Sequence, residues 1–144
     1  MKYYSLNRSC PESNFENAVR KGLAPDRGLY YPKTINKLSN SFFNEIESLS
    51  NLEIAYQGIE QFVGLEIPKH ELKSIIEETI NFDFPLERIE NSISTLELFH
   101  GPTMAFKDVG ARFMARYLGY IIKNKRNKKI TVLVATSGDT GGAV

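Results

Sequence analysis

Lys129-Ile130-Thr131-Val132-Leu133-Val134-Ala135 is β-branched and apolar without alternation, and it leads directly into Thr136-Ser137-Gly138-Asp139-Thr140-Gly141-Gly142. A run of this kind predicts a strand covered on both faces, as in a parallel sheet, and so an α/β fold. A doubly wound sheet cannot close on one strand, so this feature asks for more strands than its own segment supplies. The small residues that follow allow a backbone to approach a ligand closely. A helix starting near Thr140 would aim free N–H groups at a carboxylate or a phosphate. The plainer reading is an ordinary βα turn with Asp139 or Thr140 as N-cap. The turn fits neither the Gly-Lys-Ser/Thr phosphate loop nor Gly-x-Gly-x-x-Gly.

Some thirty residues earlier lies Leu98-Phe99-His100-Gly101-Pro102-Thr103-Met104-Ala105-Phe106-Lys107-Asp108-Val109-Gly110-Ala111-Arg112-Phe113. Lys107 stands where a loop of small residues becomes an apolar helix. A lysine amine is a poor nucleophile while protonated. Burial or a neighbouring cation lowers its pKa, and it then forms Schiff bases with carbonyls such as the aldehyde of pyridoxal phosphate. Phe106 and Phe113 can supply the apolar surround and Arg112 the positive charge. Against this stands a solvent-exposed lysine in a first helical turn, although lysine is disfavoured at the positive end of a helix dipole. Asp108 suits that first turn, with steering of Lys107 as a second reading. His100 could meet a phosphate, relay a proton or buttress the Gly101-Pro102 turn.

Taken together, the run from Leu98 to Phe113 and the turn from Thr136 to Val144 resemble those of the threonine synthases, pyridoxal-phosphate enzymes of the fold-type-II group. Lys21-Gly22-Leu23-Ala24-Pro25-Asp26-Arg27-Gly28-Leu29-Tyr30-Tyr31-Pro32 is similar to that family's N-terminal signature, with Arg27 where a second glycine is expected. The three motifs follow the family's order and spacing, and the resemblance covers the whole chain. It implies a small, mainly helical domain with short strands at 1–95. The start of the cofactor-binding catalytic domain follows at 96–144, its parallel sheet incomplete in this chain. It implies that Lys107 is catalytic and carries pyridoxal 5'-phosphate, with Phe106 beside the cofactor. Asp139 becomes a cofactor neighbour where many relatives carry asparagine. Thr136, Ser137, Gly138 and Thr140 become the loop that grips a substrate α-carboxylate.

The reaction so implied converts O-phospho-L-homoserine and water to L-threonine and phosphate in threonine biosynthesis, with the freed Lys107 amine acting as base and then acid. Threonine synthases are several hundred residues long, and their glycine-rich phosphate loop lies further along. The chain therefore reads as an N-terminal portion, inactive alone. Two other readings stay open: another fold-type-II lyase, or a non-catalytic remnant or binding module.

The rest of the chain predicts local elements. Met1 to Leu6 reads as an opening strand. Ser13 with Glu16 reads as a capping box for a helix bearing Phe15, Ala18 and Val19 and ending at Gly22. Gly28 to Tyr31 reads as a strand closed by Pro32. Helical stripes follow at Phe42, Phe43, Ile46 and Leu49, then at Leu52, Ala55, Tyr56, Ile59, Phe62 and Val63, stopped by Gly64. Pro68 opens another helix, with Leu72, Ile75, Ile76 and Ile80 inward. Residues 85–99 alternate as a half-buried hairpin around Asn91-Ser92. A long helix is expected from Phe106 to about Lys123, with Val109, Phe113, Ala115 or Arg116, Tyr117, Tyr120 and Ile121 on its buried side.

Composition excludes several classes of function. The net charge is +1, and the charged residues, 24% of the chain, are of interspersed sign. That argues against charge-driven nucleic-acid binding. The basic run from Lys123 to Lys129 has no interleaved aromatics and reads as a solvated connector. Cys10, the single cysteine, can form no internal disulfide and fits a reducing cytoplasm. No apolar run approaches the ~20 residues of a membrane helix. His70 and His100 lack metal-ligand spacing.

Overall fold

Side-chain caps and chain-bending glycines set the elements of the N-terminal region. The computed structural model describes residues 1–124 and 129–144; of the basic run, residues 125–128 lie outside the described residues. Two units are distinguished, Met1–Ile76 and Glu77–Val144.

In the first unit, β1 (Tyr3–Ser5) pairs antiparallel with β2 (Tyr30–Pro32). Helix α1 (Phe15–Lys21) follows β1. Its cap is Asn14, whose side chain accepts from Asn17 N–H at 3.1 Å, and not the expected Ser13. Ser13 is engaged elsewhere: its backbone bridges to Tyr3 through two hydrogen bonds of 2.8 Å. The Glu66 carboxylate takes the next two free amides, Phe15 N–H and Glu16 N–H, each at 3.0 Å. Gly22, at φ 68°, ends the helix as expected.

Helix α2 (Asn40–Glu45) is capped by Ser39 and buries Phe42, but leaves Phe43 exposed. Helix α3 (Asn51–Val63) opens on a complete Ser50/Glu53 capping box and stops at Gly64, at φ 67°. Helix α4 (Lys69–Thr79) follows Pro68 and buries Leu72, Ile75 and Ile76. The boundary between the units falls inside it.

The signature turn before β2 is a tight hairpin. Arg27 N–H donates to the Ala24 carbonyl at 2.8 Å, and Ala24 N–H to that of Gly28 at 3.0 Å. Arg27 takes the left-handed conformation, at φ 66°, at the position where the family signature expects glycine. The Asp26 carboxylate ties this turn to β1, accepting from Ser5 Oγ at 2.6 Å, Ser9 N–H at 2.9 Å and Gly28 N–H at 3.1 Å. The Ser5 hydroxyl foremost holds the Asp26 carboxyl below its usual range, against the opposing effect of desolvation. A Cβ on Gly28 would run into Ser5 Oγ and stand 2.9 Å from Asn7 N.

In the second unit, β3 (Leu86–Glu90) and β4 (Ile93–Leu96) form the expected antiparallel hairpin, with a register shift between Arg88 and Glu90. The expectation of half-burial is overturned. Every residue of both strands is exposed, Leu86, Ile89, Ile93 and Leu96 included, because no described residue covers either face. Helix α5 (Lys107–Asn124) spans nearly the expected range. Tyr117 and Ile121 are buried as expected; Asp108, Ala111 and Leu118 are inside as well, Val109, Phe113, Arg116 and Tyr120 are half-buried, and Ala115 is exposed.

Residues 129–135 form no strand, and Leu133 is 91% exposed. A strand exists only through its ladder. The described residues make two antiparallel pairs and offer this run no neighbour. Helix α6 (Asp139–Ala143) begins where a helix was expected. The described residues thus form a mixed assembly of helices and short strands. None of their helices is long and apolar enough to cross a membrane.

Candidate functional site

The loop that delivers Lys107 is folded back on the helix it precedes. Met104 N–H donates to the Gly101 carbonyl at 3.0 Å, and Met104 sits at φ 55°. Asp108, 1% exposed, turns its carboxylate into this loop. Oδ1 accepts from Thr103 Oγ1 at 2.7 Å and Oδ2 from Thr103 N–H at 3.0 Å. Desolvation pushes this carboxyl up. The Thr103 hydroxyl, the Thr103 and Ala105 amides and the Arg112 charge together outweigh it and hold the group below its ordinary value. Gly101 lies flat against the carboxylate: a Cβ there would stand 2.9 Å from Asp108 Cγ.

Lys107, half-buried, is the first residue of α5. Its Nζ donates to Thr140 Oγ1 at 2.7 Å, which joins the two motifs singled out in the sequence. A cleft of about 510 Å³ opens here, lined by Phe106, Lys107, Gly110, Met114, Thr140 and neighbours. That volume falls within the ~300–1,000 Å³ of small-molecule pockets. Phe106, 61% exposed, presents its ring at the cleft rather than to a core.

The turn before α6 is shaped by small residues. Thr136 Oγ1 accepts from Gly138 N–H at 3.1 Å, and Gly138 adopts φ 148°. A Cβ on Gly141 would meet Thr136 Cγ2 at 2.5 Å. The cap of α6 is Gly138, which has no side chain to offer, and not Asp139 or Thr140. Thr136, Ser137, Gly138 and Asp139 are exposed; of the turn's named residues only Thr140 lines the cleft.

Other residues read as neighbours of Lys107 are engaged elsewhere. Arg112 donates to the carbonyls of Thr79 at 3.1 Å and Glu78 at 2.6 Å, and to Asn81 Oδ1 at 2.7 Å. It therefore caps the C-terminus of α4, where carbonyls and a helix dipole both favour a cation. Phe113 stacks on Tyr117 at 6.5 Å. His100 pairs with Glu97 Oε2 at 2.6 Å and stacks on Phe99 at 4.8 Å. Thr103 and Gly101 hold Asp108, a role that no motif in the sequence announces. The available signal was a glycine and a hydroxyl residue a few positions before a first-turn carboxylate.

An amine bonded to a hydroxyl, in a cleft with an aromatic ring and glycine on its wall, fits a planar carbonyl compound. An amine so placed can serve as a nucleophile toward a carbonyl, and a hydroxyl bonded to it can orient it. Those groups suit the aldehyde and ring of pyridoxal phosphate.

A sequence profile of the family described as threonine synthase N terminus matches residues 2–80. The chain is 41% identical over 144 residues to a threonine synthase of Haemophilus influenzae, covering 100% of this chain and 33% of that protein. It matches the crystal structure of threonine synthase from Escherichia coli with a TM-score of 0.90 at 37% identity, covering 99% of this chain and 33% of that one. A pyridoxal-phosphate-bound threonine synthase from Brucella melitensis matches with a TM-score of 0.82 at 33% identity, over 87% of this chain and 28% of that one. The chain thus spans about a third of the length of the first two of these relatives.

Proposed function

We propose, since this chain belongs to the threonine synthase N-terminus family, that it supplies the lysine and the substrate-binding turn of a pyridoxal-phosphate-dependent threonine synthase. The observation that carries this reading is the 2.7 Å hydrogen bond from Lys107 Nζ to Thr140 Oγ1 in the cleft. It supports a single site built from two motifs far apart in the chain. In this reading residues 1–95 form the N-terminal domain, and 96–144 open a fold-type-II catalytic domain with a parallel sheet. The protein works in the cytoplasm.

Lys107 and Phe106 would hold the cofactor, with Asp139 as its neighbour. When bound, the cofactor supplies an aldehyde and an electron sink. Thr136, Ser137, Gly138 and Thr140 bind the α-carboxylate of O-phospho-L-homoserine through hydroxyls and backbone amides. The Lys107 amine takes a proton from substrate carbon and returns one later, and the Thr140 hydroxyl keeps that amine oriented. Phe106 forms an apolar wall on one side of the cleft. L-Threonine and phosphate leave.

The test uses the full-length protein that carries this sequence, supplied with pyridoxal phosphate and O-phospho-L-homoserine. Threonine and phosphate should appear in equal amounts. Phosphate with a keto acid would identify another lyase of this kind. Lys107→Ala should lower kcat by more than ~10²-fold, the scale of a lost general acid–base group.

A further inference from the structure

We propose that the Asp108 carboxylate is a positioning group for Lys107, folding Gly101–Phe106 back onto the first turn of α5 so that Phe106 and Lys107 are held against the cleft. This rests on the reading of Lys107 as the residue that carries the cofactor.

A first-turn carboxylate gains from the helix dipole while fully hydrated. Burying it forfeits that hydration and needs a return. Here both oxygens are spent on the loop: Oδ1 on the Thr103 hydroxyl at 2.7 Å, and Oδ2 on the Thr103 amide at 3.0 Å. The loop is shaped to receive them. Gly101 has no Cβ, and any other residue would collide with Asp108. Met104 is forced left-handed at φ 55° although it is 79% exposed, so its own packing does not hold it there. The closed turn is held by the Met104–Gly101 backbone hydrogen bond and by the bonds from Thr103 to Asp108.

The consequence for Lys107 is geometric. Successive side chains on a helix point about 100° apart. With Asp108 pinned into the loop, the Lys107 side chain leaves α5 in one direction, and that direction is the cleft it shares with Thr140. Phe106 stands one residue before Lys107, at the end of the same loop, and lines the cleft.

The experiment takes the full-length protein with pyridoxal phosphate. The cofactor is trapped on the protein by borohydride, and the attachment is mapped by peptide. Asp108→Asn keeps the shape but replaces one acceptor oxygen with a donor. Thr103→Val removes one hydroxyl and leaves the amide, and serves where the first variant does not fold. Thr103→Ser restores the hydroxyl. Positioning predicts that trapping at Lys107, per folded molecule, slows by ~10- to ~100-fold in Asp108→Asn and less in Thr103→Val, the scale of an ångström of misplacement. It also predicts that kcat falls with KM little changed, and that Thr103→Ser recovers both. Lowered melting temperature with unchanged trapping and kcat would make the clip purely structural and overturn the proposal. Failure of the unsubstituted protein to trap cofactor at Lys107 would instead overturn the reading of the site, and the positioning role with it.

Discussion

Asp26 and Asp108 anchor two turns built alike in the two units. Each carboxylate accepts from a Ser or Thr hydroxyl and from backbone amides. Each has a glycine pressed so close that a Cβ could not fit, and each turn holds a non-glycine residue at positive φ, Arg27 in one and Met104 in the other. Their settings differ. The Asp26 turn joins a sheet in a unit whose Tyr3, Phe15, Val63 and Leu72 are buried. The Asp108 turn leads into a cleft, in a unit whose hairpin and 130–134 run stay open. The same local device sits in a packed unit in one case and, in the proposed reading, presents Lys107 to the cleft in the other. Burial around it, not its own chemistry, separates the two uses.

The contrast can be broken most forcefully in the apolar residues. Leu72→Ala, at a residue 2% exposed, should cost ~2–5 kcal/mol in urea unfolding. Leu133→Ala, at an open residue, should fall within about 0.5 kcal/mol of the parent. Equal costs would mean that the 130–134 run is packed. The glycines come next. Gly28→Ala and Gly101→Ala should each destabilise by ~1–3 kcal/mol, as overpacked sites do. Only Gly101→Ala should also slow trapping at Lys107.

Acid sharpens the comparison further. A carboxyl whose pKa is lower in the folded chain leaves the unfolded chain holding more protons at acid pH. Its stabilisation is complete above the unfolded value, about 3.9, and drains away as pH falls through the folded value. Asp108→Asn should therefore flatten the acid limb of the stability curve, read from unfolding midpoints at successive pH values. The smallest effect is a gain. Arg27→Gly relieves a left-handed residue and should stabilise by about 1 kcal/mol or less, once the greater freedom of glycine in the unfolded chain is offset.

What was readable in the sequence follows the range of the forces involved. Helix α3 was legible from its apolar period and Gly64, and α4 from Pro68 and its stripe, because those signals act within a turn or two. The hairpin was legible from Asn91-Ser92 and its alternation. The cap of α1 was misplaced by one residue because Ser13 is held by Tyr3, a partner ten residues away. The run at 129–135 reads as a strand from composition, yet ladder bonds come from a neighbour and no periodicity contains one. Within the site, the likeness of two motifs brought out Lys107 and Thr140. The burial of Asp108 was not readable, since a first-turn acid is equally at home in water. Arg112 was read as a neighbour of Lys107 on sequence proximity, but the carbonyl ends of α4 offered it better acceptors.

The register shift in the β3–β4 hairpin carries a further consequence. Arg88 donates from Nε to the Glu90 carbonyl at 3.3 Å and from its guanidinium to that of Asn91 at 3.0 Å, and so occupies acceptors at the tip. An irregularity lies between Arg88 and Glu90, and a bulge of that kind bends a ribbon and deepens its twist. A flat ribbon displaying Leu86, Ile89, Ile93 and Leu96 would template a copy of itself edge to edge. The interrupted register and the charged side chains of Arg88 and Glu90 near its tip are features by which exposed strands avoid such pairing.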